Sequence, residues 1–201
     1  RYSAQLNKSR HELLQINEEI AKLEARQLGI QERSMGDLAI RKILDLKGSI
    51  NGIHGTVSNL GNVETKHSMA LEIAAGHRIN SVVVDTDLTA QKCIEHLKSN
   101  KLGVVAFLPL NKIKPRINDP SLKELLKIKG VIGLASDLVS FDSKYKDVFS
   151  YVLGSTLVVD SVETARKIGI GRARMVTVDG DLLEPSGAMI GGFRAAKRSF
   201  S

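Results

Sequence analysis

The sequence contains little of several residue types, and each scarcity narrows the range of possible functions. It has one cysteine, Cys93, no tryptophan, and only 4% aromatic residues. A single cysteine excludes an internal disulfide and a zinc site built from several thiolates, and we expect a reducing compartment. The few aromatic rings form a poor platform for stacking the bases of single-stranded nucleic acid. No run of eighteen apolar residues is present, so no membrane-spanning helix is predicted.

Catalytic motifs are equally scarce. The sequence has no G-x-x-x-x-G-K-[ST] phosphate loop, and Gly169-Ile170-Gly171 is only a G-x-G that follows a predicted helix. No two histidines are spaced i,i+4, and no serine lies in a G-x-S-x-G elbow. Asp85 and Asp160 end predicted strands; catalysis is one possible role, but capping the following helices is the simpler prediction. We therefore predict no catalytic residue, no metal site and no cofactor in this chain.

Positive charge is concentrated at particular places. The formal net charge is +7. Residues 194–201 hold three basic and no acidic residues, and residues 98–129 hold eight basic residues against Asp119 and Glu124. Such patches are typical of an electrostatic contact with nucleic acid, and a solvated basic surface is the alternative.

The first thirty residues repeat with a period of 3.5. When Leu6 is assigned to heptad position a, seven of the nine seam positions are apolar. The seam consists of Tyr2, Leu6, Ser9, Leu13, Ile16, Ile20, Leu23, Gln27 and Ile30. This repeat predicts a coiled coil, with a single amphipathic helix packed on its own globule as the alternative. Because the chain starts at Arg1 without a methionine, we expect a piece of a longer protein whose second coil strand lies elsewhere or in another chain.

Glycines separate this repeat from the rest of the chain. Gly29 and residues 34–36 interrupt the heptads and predict a break in the helix. We then expect a short helix over 37–47, with Asp37 as its N-cap and Gly48 after its end.

Beyond residue 48, buried-strand patterns alternate with helix patterns. Two stretches share one order: a helix, a glycine, an apolar strand ending in aspartate, and another helix. They are AAGHRINSVVVDT with LTAQKCIEHL, and VLGSTLVVDS with VETARKIG. This similarity predicts an α/β (α+β) domain of two related lobes, at about 48–118 and 130–193.

The segment LLEPSGAMIGG, residues 182–192, is predicted to form the final strand, although it contains Gly187, Gly191 and Gly192. Glycine weakens a strand and marks a bend or a close approach of another backbone. A turn, a phosphate-binding nest and a contact between two chains are therefore the alternatives. No helix-forming sequence follows to strengthen a phosphate site, and a turn does not account for Gly191 and Gly192.

Five segments of the α/β region are characteristic. They are GIHGTVSNLGNV (52–63), MALEIAAGHRINSVVVDT (69–86), VVAFLPLNKIKP (104–115), VFSYVLGSTLVVDS (148–161) and VTVDGDLLEPSGAMIGG (176–192). In order and content they resemble the hinge domain of structural maintenance of chromosomes (SMC) proteins. The motifs A-A-G-x-R-x-x-x-V-V-V and E-P-S-G-x-x-x-G-G are the most specific part of this resemblance.

The resemblance implies a ring-like, two-fold dimer that joins long coiled-coil arms. Residues 1–47 would be an arm with its connecting helix, 48–193 the hinge domain, and 194–201 the start of the returning arm. The implied dimer interface consists of Gly187, Ala188, Met189, Ile190, Gly191 and Gly192. Ser186 stands where many relatives carry glycine, and the opposing face of the first lobe is expected around 101–107.

The resemblance also implies a sequence-independent contact with DNA where the hinge meets the arms. The matching residues are Arg194, Lys197 and Arg198. A second patch, predicted from charge alone, consists of Lys112, Lys114 and Arg116.

A larger protein is implied around this piece. ATP, Mg and kleisin-type subunits would bind only at head domains outside this sequence, so the piece itself is not expected to be an enzyme. The parent would be a cytoplasmic, nucleoid-associated protein of chromosome condensation and segregation. A prokaryotic homodimer and a eukaryotic heterodimer are both open, and the compact loops favour the prokaryotic homodimer. A nucleotide-dependent α/β enzyme with a dimerising helix and a pure coiled-coil scaffold are the alternatives.

Overall fold

The structure, a computed structural model, describes residues 2–195 and residue 200. It opens with one helix of 43 residues, α1 (Tyr2–Leu44), followed by a 3-10 turn over Asp45–Gly48. The predicted break near residue 29 and the separate helix beginning at Asp37 are both wrong. An isolated glycine costs a helix about 1 kcal/mol relative to alanine, and the long uninterrupted hydrogen-bond ladder of α1 offsets that cost.

The surface of α1 is apolar in a stripe but largely solvent-accessible. Leu13 and Leu23 of the predicted seam expose 61% and 63% of their surface. The buried residues of α1 are Ala39 and Ile43, both near its carboxyl end. The predicted helix is thus confirmed, and it contacts the rest of the chain through its last turns.

The first lobe has a three-stranded sheet in the order β1-β3-β4. β3 pairs antiparallel with β1 and parallel with β4. The elements are β1 (Ile53–Thr56), α2 (Val57–Leu60), β2 (Asn62–Val63), α3 (Ser68–Ala75), β3 (Val82–Val84), α4 (Asp87–Ser99) and β4 (Phe107–Pro109).

The second lobe repeats this plan and extends it. Its sheet has the order β10-β9-β8-β7-β5, with β7 antiparallel to β5 and parallel to β8. The elements are α5 (Leu122–Leu125), β5 (Val131–Leu134), β6 (Val139–Ser140), α6 (Lys146–Leu153), β7 (Thr156–Val159), α7 (Val162–Ile168), β8 (Arg174–Thr177), β9 (Leu182–Leu183) and β10 (Met189–Ile190). The prediction of two related lobes is confirmed.

Helices α4 and α7 begin in the same way in the two lobes. The hydroxyls of Thr86 and Ser161 cap them by accepting hydrogen bonds from the amides of Thr89 and Thr164, each at 3.2 Å. The prediction that Asp85 and Asp160 provide these caps is therefore wrong. In each lobe the capping hydroxyl comes one residue later, where the backbone is extended and the side chain reaches the free amides of the first turn.

The two lobes share one hydrophobic core. It includes Leu71 of α3 and Phe149 of α6, both fully buried, and Phe149 stacks on Phe141 at 4.4 Å between ring centroids. The short strands β2 and β6 pair antiparallel across the boundary between the lobes. A separate cluster that contains Ala39 and Ile43 fixes the end of α1 to the first lobe.

Candidate functional site

The glycine-rich segment forms a hairpin, and the predicted single strand over 182–192 is wrong. β9 pairs antiparallel with β10, placing Met189 opposite Leu183. Between them the amide of Gly187 donates to the carbonyl of Glu184 at 3.0 Å, and the amide of Glu184 donates to the carbonyl of Ala188 at 2.9 Å. The turn interpretation holds here, because Pro185 and Gly187 have the backbone preferences that such a tight turn requires.

The three glycines of the motif have different surroundings. Gly187 has φ +94°, and a Cβ there would meet no atom within 4 Å. Gly191 lies against the carboxylate of Asp181, which a Cβ would strike. Asp181 also accepts a hydrogen bond from the amide of Gly192 at 3.2 Å. The tight turn accounts for Gly187, and the carboxylate of Asp181 accounts for Gly191, so neither glycine requires a second chain. At Gly192, by contrast, no atom lies within 4 Å of the position that a Cβ would take.

Strand β10 is the outer strand of the five-stranded sheet and presents an apolar edge. Met189 and Ile190 each expose 51% of their surface, and Phe193 exposes 98%. An edge strand has backbone groups free to pair with another strand. The structure therefore places Met189, Ile190 and Gly192, all predicted interface residues, along one accessible sheet edge.

The first lobe has a free edge at the equivalent place. β4 corresponds to β8, but β8 is covered by β9, whereas β4 ends its sheet. Pro109 has no amide hydrogen, and its carbonyl accepts from the amides of Lys112 and Ile113 at 3.0 and 2.8 Å. Pro109 can therefore neither donate nor readily accept a hydrogen bond from an added strand. A second strand could pair with β4 only through the residues before Pro109, next to the interface region predicted at 101–107.

The predicted basic residues lie in different surroundings. Arg194 Nε donates to the carbonyl of Gly180 at 3.1 Å, which holds this side chain on the second lobe. Lys197 and Arg198 lie outside the described residues. Lys112, Lys114 and Arg116 are exposed on the segment between the lobes.

The two ends of that second patch have different neighbours. The hydrogen bond from Asn111 is the main cause that lowers the pKa of Asp87, and the charge of Lys112 adds to it. Arg116 is instead turned toward the second lobe, with its guanidinium carbon 6.0 Å from the centre of the Tyr151 ring. The patch predicted from charge alone is thus divided between two surfaces.

Sequence reasoning missed a polar link between the lobes. His54 Nε2 is bonded to Asp85, and its Nδ1 lies 2.8 Å from the hydroxyl of Tyr145 in the second lobe. Tyr145 is buried, and its ring meets His54 edge-on with centroids 5.3 Å apart. The arrangement fastens the lobes together. A lone histidine 91 positions from its partner gave no signal in the sequence.

Two kinds of feature are absent from the described part of the chain. Residues 2–195 and 200 contain no group of three or more His, Cys, Asp or Glu side chains placed to hold a metal ion. Over the same residues, no helix is both long enough and apolar enough to cross a bilayer. Cys93 is fully buried, and burial raises the pKa of its thiol, which keeps the sulfur protonated and unreactive.

Comparison with known proteins gives consistent matches. The family model for the flexible hinge domain of SMC proteins matches residues 50–169. Over 183 residues the chain is 44% identical to the chromosome partition protein Smc of Gloeobacter violaceus. That alignment covers 91% of this chain but 15% of the relative, so the chain spans a small part of that protein's length.

Two solved structures have a similar fold. An asymmetric dimer of the Geobacillus stearothermophilus SMC hinge domain is 29% identical, with a TM-score of 0.73 over 86% of this chain and 78% of that one. The Pyrococcus furiosus Smc hinge domain with an extended coiled coil is 39% identical, with a TM-score of 0.70 over 84% and 60% of the two chains. These matches confirm the predicted mixed fold with its long N-terminal helix.

Proposed function

The chain belongs to the SMC hinge domain family, and on that basis we propose that it joins two coiled-coil arms of a chromosome partition protein by dimerising. A hinge domain is not a catalytic domain, so the nucleotide-dependent enzyme is set aside. ATP, Mg and kleisin-type subunits would engage head regions outside this chain, and the whole protein would act on the nucleoid.

The accessible apolar edge of β10 is the observation that carries this proposal. Met189 and Ile190 lie half-exposed on a two-residue strand at the end of a sheet. In the dimer, β10 of one copy would approach the free edge of β4 in its partner. A two-fold axis would repeat this contact, so that each lobe meets the other kind of lobe. The dimer described for the G. stearothermophilus hinge supports such self-association.

The open side of Gly192 suits this contact. Its φ of +145° and the free space around it let a partner backbone come close. The second chain would extend the five-stranded sheet and cover Ile190 and Met189. The exposed heptad seam of α1 would pair with a returning arm helix in the same assembly.

Contact with DNA is the finer part of the proposal. Arg194, Lys197 and Arg198 would meet backbone phosphates where the hinge joins the arms, giving weak, salt-dependent and sequence-independent binding. Arg194 supports this role because its side chain is fixed by Gly180 at the surface of the second lobe.

Sedimentation velocity of the whole chain tests the dimer. Ile190→Glu is expected to weaken self-association by about tenfold or more, because a charge at a buried interface is poorly tolerated. Ile190 is half-exposed in the single chain, so the variant should stay folded. Leu88→Glu, at a side chain that is 57% exposed on α4, is the matched control and should dimerise like the parent. Equal dimerisation of all three proteins would contradict the proposal.

A further inference from the structure

Four arginines converge where the two lobes meet. Arg116, Arg172 and Arg174 line a cavity of about 210 Å³ together with Ser155. Arg78 lies beside the cavity and not in its lining: its guanidinium carbon is 5.0 Å from the centre of the Tyr151 ring, over which Arg116 also lies. We call Arg78, Arg116, Arg172 and Arg174 the arginine pocket.

Arg174 is the fixed member of the arginine pocket. Its Nη1 donates to the carbonyl of Ala74 at 2.9 Å and to the hydroxyl of Thr156 at 3.0 Å. Burial is the main cause that lowers its pKa; Glu184 opposes this effect, and the charges of Arg116 and Arg78 add to it. A guanidinium nevertheless stays charged in proteins. The three arginines therefore share one electrostatic environment in which their charges repel.

The segment that carries Arg116, residues 116–118, forms one side of the cavity and is held rigidly against the second lobe. Asn118 accepts hydrogen bonds from the amide and the hydroxyl of Ser155 at 3.1 and 3.0 Å. Ser155 has φ +62°, an unfavourable conformation for a residue with a Cβ. Gly154 leaves no room for a side chain, since a Cβ would strike the carbonyl oxygen of Ser150 and lie 3.0 Å from the Cβ of Arg116. Because this segment is already ordered, a ligand would bind there with a smaller loss of conformational entropy.

Acidic residues only partly neutralise the pocket. Glu184 lies 3.6 Å from Nε of Arg174. Asp119 lines the cavity, and its carboxylate accepts a hydrogen bond from the amide of Ser121 at 2.9 Å. The three arginines that line the cavity outnumber the carboxylates of Asp119 and Glu184, and Arg78 lies beside them, so a concave site is left with an excess of positive charge. Guanidinium forks bind phosphate oxygens in pairs, so a phosphate group suits this excess in both charge and geometry.

We propose that the arginine pocket binds a phosphate group. Two sources share this chemistry, the backbone of duplex DNA and a free phosphate compound. If DNA is the source, the inference rests on the proposed DNA contact and adds a second phosphate contact between the lobes, away from residues 194–198. Separate titrations with a small phosphate compound and with a duplex distinguish failure of the pocket from failure of that DNA contact.

Four forms of the whole chain are compared. They are the parent, the pocket variant Arg116→Gln/Arg172→Gln, the tail variant Arg194→Gln/Lys197→Gln/Arg198→Gln and the charge-matched control Lys92→Gln/Lys98→Gln. Arg116, Arg172, Lys92 and Lys98 are all exposed, so these substitutions should leave the fold intact. Each form is titrated with inorganic pyrophosphate, followed by the shift in thermal midpoint, and with a labelled DNA duplex, followed by fluorescence anisotropy.

The pocket variant is expected to lose about tenfold or more in apparent affinity for pyrophosphate, since two charge-assisted hydrogen bonds are removed. The tail variant and the control should respond like the parent. An equal response of the pocket variant and the control would overturn the proposal. If the pocket variant is less stable without ligand, Arg172→Gln alone replaces it and must show the same selective loss.

The duplex titration identifies the source. A loss of about tenfold in the pocket variant, with little change in the control, assigns the site to the DNA backbone. A pocket-dependent pyrophosphate response with a loss of duplex binding only in the tail variant assigns the pocket to a free phosphate compound. If no form binds the duplex, the proposed DNA contact is wrong. The proposal of a phosphate site in the pocket is then decided by the pyrophosphate titration alone.

Discussion

The first lobe ends its sheet at β4, whereas the second lobe continues past the equivalent strand β8 into the β9–β10 hairpin. Everything before that point follows one plan, including the hydroxyl caps of α4 and α7. The difference gives one lobe an open edge and the other an added edge strand. A nearly symmetric chain can thereby form a contact between unlike surfaces, which is what a two-fold dimer with two equal contacts requires.

The two lobes also use equivalent residues differently. Asp85 and Asp160 follow β3 and β7 at corresponding positions, and the amide of each donates to the carbonyl of a glycine in the neighbouring strand segment. The carboxylate of Asp85 is bonded to His54 and so reaches toward the other lobe. That of Asp160 is bonded to Thr164 and stays within its own lobe. Repeated backbone geometry therefore does not fix side-chain partners.

The shared core gives the largest expected effect. Leu71→Ala in the first lobe and Phe149→Ala in the second should lower the free energy of unfolding by about 2–5 and about 3–5 kcal/mol, because each leaves a cavity in the same cluster. Both should shift one common transition in urea, measured by circular dichroism. Leu88→Ala, at an exposed site, should change stability by less than about 0.5 kcal/mol. Two separate transitions would show that the lobes fold independently.

Equivalent glycines in the two lobes should respond unequally. Gly52 and Gly130 both have φ +96°. A Cβ at Gly130 would lie 2.5 Å from Oγ1 and 2.8 Å from Cγ2 of Thr164, whereas the nearest atom to a Cβ at Gly52 would be Oδ2 of Asp85 at 3.0 Å. In urea unfolding, Gly130→Ala should cost about 3 kcal/mol and Gly52→Ala about 1–2 kcal/mol.

A third glycine separates crowding from backbone strain in that comparison. Gly76 has φ +60° and open space around it. With its ψ of −142°, this is a backbone conformation that essentially only glycine adopts, so Gly76→Ala should report backbone strain alone, about 1–3 kcal/mol. Equal losses at Gly52, Gly76 and Gly130 would mean that neighbouring atoms contribute nothing to the difference between the lobes.

The smallest expected change in stability comes from the carboxylate of Asp160. The hydrogen bond from Thr164 is the main cause that lowers its pKa. A carboxyl whose pKa is lowered by folding stabilises the protein above its unfolded pKa, and this stabilisation is lost as the pH falls through the folded pKa. Thr164→Val should raise the pKa of Asp160, measured by carbon NMR titration, and make stability less sensitive to acid. Thr89→Val, the first-lobe equivalent, should leave Asp160 unchanged.

The sequence predicted best where periodicity and burial coincide. The repeated order of helix, glycine, buried strand and helix was sufficient to identify both lobes, because VVV and LVV segments must be covered on both faces. It predicted a break in α1 that does not exist, since a glycine inside a long helix is a small local cost. It also merged β9 and β10 into one strand, although Pro185 and Gly187 are turn residues.

The spacing of residues along the sequence does not predict contacts between distant segments. The arginine pocket combines Arg78 with Arg116 and Arg174, residues that come from a helix end, a linker and a strand. Only Arg116 was singled out, because it lies in a basic run. The bond between His54 and Tyr145 was missed for the same reason, since sequence spacing carries no information on which segments fold against each other.

The attachment of α1 has a mechanical consequence. Its buried residues, Ala39 and Ile43, lie in the last two turns, while its other end is about 55 Å away at 1.5 Å per residue. The helix is thus a long rod that is attached to the first lobe near one end only. A tilt of about 10° there sweeps the far tip through about 10 Å, so sub-ångström repacking around Ile43 is amplified into a displacement larger than the width of a side chain.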